Sequence, residues 1–201
     1  MKRSIFIAII AAAIFTSAKG QEKSDVTTVD TIPLVDGTHQ FQEIVKVDST
    51  FKKDQLYKNA KAYFMNVFNG AKDAFQYDDK NEAKIVGKGF VQVSDIKRVF
   101  PAVAVLKWDV FYNLEVTCKD GKYRYRLYDI VITKEAHVSE NTFRNVHLTI
   151  NEAYGNIPKQ RGSYKTLYPK VINKLIAELQ TNISGLKENM AKKQLDYSAA
   201  F

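Results

Sequence analysis

Alternating apolar and polar residues predict β-strands in the first half of the chain. In the segment FQEIVKV, Phe41, Val45 and Val47 share one parity, which is the pattern of a strand with one half-buried face. Two further runs rich in β-forming residues, near 74–78 and 83–93, flank a polar turn. They predict a hairpin that follows the first strand at some distance along the chain.

Between that strand and the hairpin, apolar residues recur every three or four positions, which predicts an amphipathic helix. Its apolar stripe consists of Leu56, Ala60, Tyr63 and Val67. Ser49 or Thr50 can cap the start of this helix, and Asn69-Gly70 suits its end. A second, longer helix is predicted near the carboxyl end, with a stripe of Leu167, Val171, Leu175, Leu179, Ile183, Leu186 and Met190. Stripes of this length normally cover a sheet, so both helices are assigned to the core.

The segment that begins at Trp108 predicts the central hairpin. From Trp108 to Cys118 the even positions are apolar and the odd positions are mostly polar. Asp120-Gly121 then favours a two-residue turn in which both residues have a positive φ. The register that follows pairs Lys119 with Lys122, Cys118 with Tyr123, Val116 with Tyr125, Leu114 with Leu127, Thr117 with Arg124 and Glu115 with Arg126.

This register separates the tyrosines from the arginines. Tyr123 and Tyr125 fall on the core face, and Arg124 and Arg126 fall on the opposite face, where Glu115 lies across from Arg126. A cross-strand pair of opposite charge contributes about 0.2–1 kcal/mol. The face away from the core is the candidate ligand-binding surface, formed by Phe111, Asn113, Glu115, Arg124, Arg126 and Tyr128. A solvated sheet face without a ligand is the alternative.

Asp129 does not fit a continuous register, because it would fall on the core face opposite Tyr112. Two solutions remain open at this point. Either Asp129 accepts a hydrogen bond from the Tyr112 hydroxyl group, or a β-bulge near Tyr128 reverses the alternation. We favour the bulge.

Two segments lack a clear period. The apolar segment Val99–Val105 is read as a connection without helical pattern, and burial against the core and an exposed contact patch are its two alternatives. The segment from residue 135 to residue 162 is read as mostly irregular, with a short strand at Phe143–Ile150.

The amino terminus has the layout of a secretory signal peptide. Lys2 and Arg3 precede an apolar run of about eleven residues, which is shorter than the roughly 20 residues that span a bilayer as a helix. Small residues follow, and cleavage is predicted after Gly20, with the bond after Ala18 as the alternative. We therefore predict an exported protein, periplasmic or secreted, without a transmembrane span after cleavage. The predicted organisation is a signal peptide at 1–20, a flexible lead with a turn at 21–38, one α+β domain at 39–190 and a tail at 191–201.

Charge alone does not indicate a nucleic-acid partner. The whole chain has a formal charge of +8, and loss of Lys2, Arg3 and Lys19 with the signal peptide lowers this charge to +5. An exported protein also meets no chromosome, so we do not expect nucleic acid as a partner.

Residues that carry chemistry are sparse. Cys118 cannot form an intramolecular disulfide bond, and its expected role is a small buried side chain. The three histidines are dispersed, and Glu135, His137 and Glu140 lack metal-ligand spacing. Gly87 and Gly89 resemble a phosphate-binding loop only superficially, because no helix is predicted after them. Close approach of another residue or a bulge within a strand explains them better. We predict no metal, no cofactor and no catalytic residues.

Several stretches together resemble a known family. These are IPLVDGTHQFQEIVKVDS, QLYKNAKAYF, IVGKGF and CKDGKYRYRLYDI, which cover roughly residues 32–134. They are similar to an exported bacterial family, a domain of unknown function with a TATA-binding-protein-like (TBP-like) fold. The resemblance implies a curved antiparallel sheet in the order β-α-β-β-β-β-α, with two helices packed on one face. It implies no catalytic residues.

Our leading hypothesis is a non-enzymatic binding module of the bacterial cell envelope, with an envelope protein or glycan as its partner. A hydrolase that acts on envelope polymers is the alternative. A deep pocket with two close carboxylates or a histidine–carboxylate pair would favour the hydrolase.

Overall fold

A computed structural model describes residues 28–68, 75–99, 102–139 and 142–193 of the chain. The predicted signal peptide, the first part of the predicted lead at 21–27 and the tail from residue 194 lie outside these ranges. So do Asn69-Gly70, the predicted end of the first helix, and Glu140.

Eight strands and three α-helices form the described structure. The strands are β1 (Leu34–Val35), β2 (Thr38–His39), β3 (Phe41–Lys46), β4 (Phe75–Asp79), β5 (Lys84–Val99), β6 (Ala102–Lys119), β7 (Lys122–Ser139) and β8 (Thr142–Thr149). The helices are α1 (Lys53–Val67), α2 (Ile150–Asn156) and α3 (Tyr164–Met190). A short 3-10 helix, Ile157–Lys159, follows α2. The short strand predicted at Phe143–Ile150 is confirmed as β8, whereas β1, β2 and α2 are additions to the predicted elements.

The main sheet is antiparallel, with strand order β3-β7-β6-β5-β4, and β8 also pairs with β7. β3 pairs with the first half of β7, and β8 pairs with its second half, on from Val131. The strands β5, β6 and β7 are longer than the sequence predicts. The segment read as an irregular connection continues β5 and β6, which stay paired from Lys84↔Thr117 to Val99↔Ala102.

The helices lie on one face of this sheet, as predicted. The even positions in the middle of β6 are at most 1% exposed and belong to the same core cluster as the predicted stripe of α3 from Val171 onwards; they are Trp108, Val110, Tyr112, Leu114 and Val116. The stripe of α1 is confirmed for Leu56, Ala60 and Tyr63. Val67 is 38% exposed, so the end of that stripe is wrong.

The start of α1 is held by the central hairpin and not by Ser49 or Thr50. The N-cap residue is Lys52, which makes no side-chain capping bond. Instead, the backbone N–H of Lys53 donates to Oδ1 of Asp120 at 2.7 Å. An acceptor at this position satisfies a helix N–H group that has no partner within the helix. The predicted caps are therefore wrong, because the acceptor comes from a distant turn.

The two-residue turn is confirmed, but its predicted backbone conformation is wrong. Lys119 pairs with Lys122, and Gly121 has a positive φ of 68°, whereas Asp120 does not have a positive φ. Backbone bonds to the segment before α1 hold the turn in place. Gly121 N donates to Phe51 O, and Val47 N donates to Gly121 O.

Part of the predicted lead packs against the domain. The strands β1 and β2 form a small hairpin around Asp36-Gly37, where both residues have a positive φ. Ile32 is 1% exposed, and its N–H donates to the Tyr154 hydroxyl group at 2.9 Å. The ordered structure therefore already includes residues before position 39.

The predicted bulge near Tyr128 is confirmed. The pairing of β6 with β7 shifts between Asn113↔Tyr128 and Phe111↔Val131, and Asp129 has φ 53°. Asp129 is exposed, and Ile130 and Ile132, which follow it, are buried. The alternative hydrogen bond from Tyr112 to Asp129 is wrong, because Asp129 accepts from Asn113 Nδ2 at 3.0 Å.

Both strand glycines lie under aromatic rings, so the close-approach interpretation is confirmed. A Cβ atom on Gly87 would lie 2.7 Å from the ring of Phe64, and a Cβ atom on Gly89 would lie 2.2 Å from Cζ of Tyr112. Both glycines are paired inside β5.

Cys118 is buried, as predicted, and we expect its thiol group to be unreactive in the native protein. Its side chain is 2% exposed, and burial raises its pKa to about 12. The thiolate is the reactive form, so little of it is present at neutral pH. We expect a thiol-specific chromogenic reagent to label the chain only after unfolding. Rapid labelling of the native protein at pH 7 would contradict this prediction.

Candidate functional site

The pairing register places all six predicted surface residues on the face opposite the helices. Phe111, Asn113 and Glu115 occupy odd positions of β6, and Arg124, Arg126 and Tyr128 occupy even positions of β7 before the bulge. We call this surface the open face. Its residues were predicted from alternation alone, and their role in binding stays a prediction.

Glu115 is the buried centre of the open face. It is 5% exposed, and its carboxylate contacts Arg124 Nη2 at 3.0 Å and Lys84 Nζ at 3.2 Å. Arg126 is the residue directly opposite Glu115, but it donates to Oε1 of Gln40 at 3.1 and 3.3 Å. Glu115 and Arg126 are therefore opposite each other as predicted, but they do not form the predicted charge pair. The diagonal arginine and a lysine from β5 neutralise the carboxylate.

Cations lie beside aromatic rings at three places on the open face. The Arg126 guanidinium group is 4.7 Å from the centre of the Tyr128 ring. Lys88 Nζ is 5.5 Å from the ring of Phe111, and Lys84 Nζ is 5.7 Å from that of Tyr77. Contacts of this kind hold a cation and a ring together by about 0.5–1 kcal/mol where both are exposed. The open face is thus a mixed cationic and aromatic surface, although the tyrosines predicted for the core do not contribute to it.

The Tyr128 hydroxyl group stays protonated at neutral pH. Burial raises its pKa, and the charges of Glu115 and Asp129 raise it further.

Phe90 pairs with Phe111, and their ring centres are 5.2 Å apart. Phe90 is 52% exposed and was not among the predicted site residues. The sequence showed the alternation that places Phe90 in β5, but it did not show that Phe90 pairs with Phe111.

Tyr125, a core tyrosine of the central hairpin, takes part in a contact between the sheet and α3. Tyr125 donates to Glu43 Oε2 at 3.0 Å, and Lys187 of α3 donates to the same oxygen at 2.5 Å. The hydrogen bond from Lys187, aided by that from Tyr125, lowers the pKa of Glu43 despite partial burial. The carboxylate therefore stays ionised and ties α3 to β3 and β7.

At the turn end of the open face, three lysines lie in one row across three strands. Lys46 of β3 pairs with Lys122 of β7, and Lys122 pairs with Lys119 of β6. All three are exposed. We call this set the lysine row. None of the three makes a salt bridge with an acid in the part of the chain that the structure describes.

A pocket of about 280 Å³ lies next to the lysine row. Its lining consists of Ile44, Thr117, Lys119, Lys122, Tyr123 and Arg124. The Thr117 hydroxyl oxygen is buried and has no hydrogen-bond partner among the described residues. No motif in the sequence marks this pocket, because Ile44 reaches it only through the pairing of β3 with β7.

The outer half of the open face is apolar. Ile96 pairs with Val105, and Arg98 pairs with Val103. Ile96, Val103 and Val105 are 52–59% exposed. Of the two alternatives for this segment, burial against the core is therefore wrong for Val103 and Val105. Residues 100 and 101 lie outside the described ranges.

Asp78 and Asp79, which are adjacent in the sequence, do not form a close carboxylate pair. Asp78 and Asp79 end strand β4 rather than lying in a turn, and they point to opposite faces. Asp78 accepts hydrogen bonds from Tyr57 and Lys61, while Asp79 accepts from the backbone of Asn81. Burial raises the pKa of Asp78, but these two hydrogen bonds outweigh it, and the net pKa is lowered.

The described residues contain no group of three or more histidine, cysteine, aspartate or glutamate side chains placed to hold a metal ion. His39 contacts Ile32 O, and His147 contacts the Thr133 hydroxyl group. The side chains of Glu135 and His137 lie outside what the structure describes. Over the described ranges, none of the helices combines the length and the apolar character needed to cross a membrane.

The sheet order and its one-sided helix layer define an α+β protein with a TBP-like fold. Residues 41–133 match the family model of the domain of unknown function (DUF4468) with TBP-like fold. This part of the chain therefore carries a DUF4468 domain, and the family resemblance seen in the sequence is confirmed.

Two solved structures are similar to the chain. One is a DUF4468 family protein from Bacteroides ovatus, with 15% identity and a TM-score of 0.54, which covers 81% of this chain and 91% of that one. The other is a TBP-like protein from Parabacteroides distasonis, with 13% identity and a TM-score of 0.54, which covers 78% of this chain and 97% of that one. At this identity the likeness shows the fold alone. No curated protein matches the chain.

Proposed function

We propose that the protein is a non-enzymatic binding module, exported to the bacterial cell envelope, that captures an envelope protein or glycan on its open face. The observation that carries this proposal is the placement of cations beside aromatic rings on a sheet face that the helices leave uncovered. The pairs are Arg126 with Tyr128, Lys88 with Phe111 and Lys84 with Tyr77.

Aromatic residues and arginine are enriched in binding surfaces and in their energetic centres. Aromatic rings offer a large contact area with little loss of conformational entropy, because few bonds rotate. On the open face the backbone that carries these rings is also held by β-strand pairing. Little energy is then needed to order this surface on binding.

The chemistry of the described residues favours binding over hydrolysis. The pocket on the open face is lined by cations, a hydroxyl group and apolar side chains. Glu115, the nearest carboxylate in the register, is held between Arg124 and Lys84. A carboxylate in that position is suited to orienting cations rather than to accepting a proton from substrate.

Capture of envelope material by the purified protein tests this proposal. We expect the double variant Arg124→Ala/Arg126→Ala to retain about one tenth of the wild-type capture from fractionated envelopes, because charged interface groups contribute through both contact and steering. Glu115 keeps Lys84 as its partner in this variant, so the fold is retained. Circular dichroism checks the fold.

The matched control is Lys58→Ala/Lys170→Ala, which removes the same charge from exposed positions on the helices. It is expected to capture as much as the wild type. Equal capture by the arginine variant and the wild type, for every envelope component bound, would reject the open face as the binding surface.

A further inference from the structure

We propose that the lysine row and its pocket form an oxyanion subsite, which binds a phosphate or carboxylate group carried by the ligand of the open face. This inference rests on the proposed function, because it names the chemistry of the ligand that this face takes.

Among the described residues, no acid forms a salt bridge with the lysine row. Lys122 lies directly opposite both Lys46 and Lys119, and like charges in directly opposite positions destabilise a sheet. The acid closest in sequence is Asp120, and it is engaged elsewhere. Its carboxylate accepts from the N–H of Lys53 at 2.7 Å and lies 3.7 Å from Lys52 Nζ. An external anion would relieve the repulsion within the row.

The acid on the other side of the row is also engaged. Asp48 follows β3, and its Oδ1 accepts from the Thr50 N–H at 2.9 Å. That hydrogen bond lowers the pKa of Asp48, so the carboxylate is ionised but bound within its own turn. The open-face charge nearest the row in the register is instead a further cation, Arg124, which borders the same pocket.

The pocket adds a hydroxyl group to these cations. The Thr117 oxygen has no partner among the described residues, and Thr117 lies directly between Arg124 and Lys84 in the register. A buried hydroxyl group without a hydrogen bond costs about 1–3 kcal/mol. When the flexible cationic side chains turn towards a bound oxyanion, the hydroxyl group gains an acceptor. Ammonium, guanidinium and hydroxyl donors around one pocket are a typical set for phosphate or carboxylate oxygens.

The subsite lies next to the cationic and aromatic part of the open face. Arg124 borders the pocket, and Arg126, two residues further along β7, stacks on Tyr128. A ligand that places its anionic group at the lysine row can therefore extend along β7 towards the aromatic rings. This geometry suits a polymer with charged groups at intervals better than a small neutral molecule.

Calorimetric titration of the purified protein tests the subsite with two defined probes. One probe is inorganic tripolyphosphate and the other is a short oligogalacturonate, which carries carboxylates only. We expect saturable binding of at least one probe in about 20 mM salt, weakened but still measurable in about 200 mM salt. The probe that binds more tightly identifies the phosphate or carboxylate preference.

Three variants locate the binding. Lys46→Gln/Lys119→Gln/Lys122→Gln is expected to bind the preferred probe at least about tenfold more weakly, because it removes the charge-assisted donors. The control Lys58→Gln/Lys165→Gln/Lys170→Gln removes the same charge from exposed helix positions and is expected to change affinity less than about twofold. Thr117→Val is expected to bind more weakly without loss of thermal stability, which a purely structural role would not produce.

Two results would overturn the subsite. One is the absence of binding by either probe in low salt. The other is an equal loss of affinity in the lysine-row variant and in the control, which would indicate diffuse attraction to net charge. If probe binding is lost in the lysine-row variant but envelope capture is not, the subsite is wrong as a part of the ligand site and the proposed function stands. If the probes bind but nothing is captured from envelopes, the proposed function fails and the subsite stands.

Discussion

Gly89→Ala is expected to lower the free energy of unfolding by about 3 kcal/mol, because the added methyl group would overlap the ring of Tyr112. The added Cβ atom would lie 2.2 Å from Cζ, 2.4 Å from Cε2 and 2.6 Å from the hydroxyl oxygen of Tyr112. The ring cannot move away easily, since Tyr112 is 1% exposed and its hydroxyl group accepts a hydrogen bond from Asn182 Nδ2 at 2.9 Å.

The hydrogen bond between Asn182 and Tyr112 also holds α3 against the sheet. Tyr63 of α1 donates to Asn182 O at 2.5 Å, so Asn182 joins both long helices to Tyr112. Asn182 is the first residue of an Asn-Ile-Ser sequence that matches a glycosylation acceptor, but its side chain is hydrogen-bonded to Tyr112 within the fold. Displacement of Tyr112 would therefore disturb the packing beneath the open face as well as the local strand.

Denaturant unfolding of matched variants measures this effect. Gly155→Ala is the control, because no atom lies within 4 Å of the added Cβ and the residue is helical. It is expected to leave stability unchanged or to raise it by about 0.5–1 kcal/mol. In a Tyr112→Ala background, Gly89→Ala should cost little, since the clashing ring is absent. A Gly89→Ala variant as stable as the wild type would show that Tyr112 does not need this space.

The central hairpin could be predicted from the sequence because a short turn and strict alternation fix its register together. A one-residue shift would have moved Tyr123 and Tyr125 out of the core, so only one register suits the pattern. The bulge followed from the same reasoning, since Asp129 and Ile130 could not both keep the original alternation. Local information was sufficient for these features.

The longer parts of the strands could not be predicted from local pattern. Of the four residues from Ser94 to Lys97, three are polar or charged and only Ile96 is apolar. They become a strand because β6 pairs with them and α3 contacts them. Lys97 donates to the Thr166 hydroxyl group, and Lys174 donates to Ser94 O at 2.9 Å. Such support is set by tertiary packing, which overrides weak strand propensity.

The candidate site could be predicted only in part, because contacts between strands also depend on tertiary packing. Alternation placed six residues on one face, but it could not determine which charges meet across strands. Glu115 takes the diagonal Arg124 because Arg126 is bound to Gln40 and Tyr128. The lysine row depends on the pairing of β3 with β7, two segments separated by α1 and three strands. Only the assembled sheet shows it.

The carboxyl end of α3 depends on one buried amide from α1. Asn59 is 2% exposed, and its Nδ2 donates to Lys192 O at 2.8 Å and to Met190 O at 3.2 Å. Its Oδ1 accepts from Gln55 Nε2 at 2.8 Å, and its backbone O accepts from Asn189 Nδ2 at 2.6 Å. Carbonyl groups in the last turn of a helix lack partners within the helix, and here a neighbouring helix supplies the donor.

Asn59→Ala is accordingly expected to lower the free energy of unfolding by about 2–3 kcal/mol, because a buried carbonyl group and a partly buried one lose their donor. Asn59→Asp should be worse at neutral pH, since a carboxylate would face the carbonyl groups as a second acceptor. The control is Asn173→Ala, which removes amide bonds to Thr28 O and Asp30 N at more exposed positions and should cost less than about 1 kcal/mol. Denaturant unfolding compares the three variants. If Asn59→Ala costs no more than Asn173→Ala, α3 does not depend on this amide for its last turn.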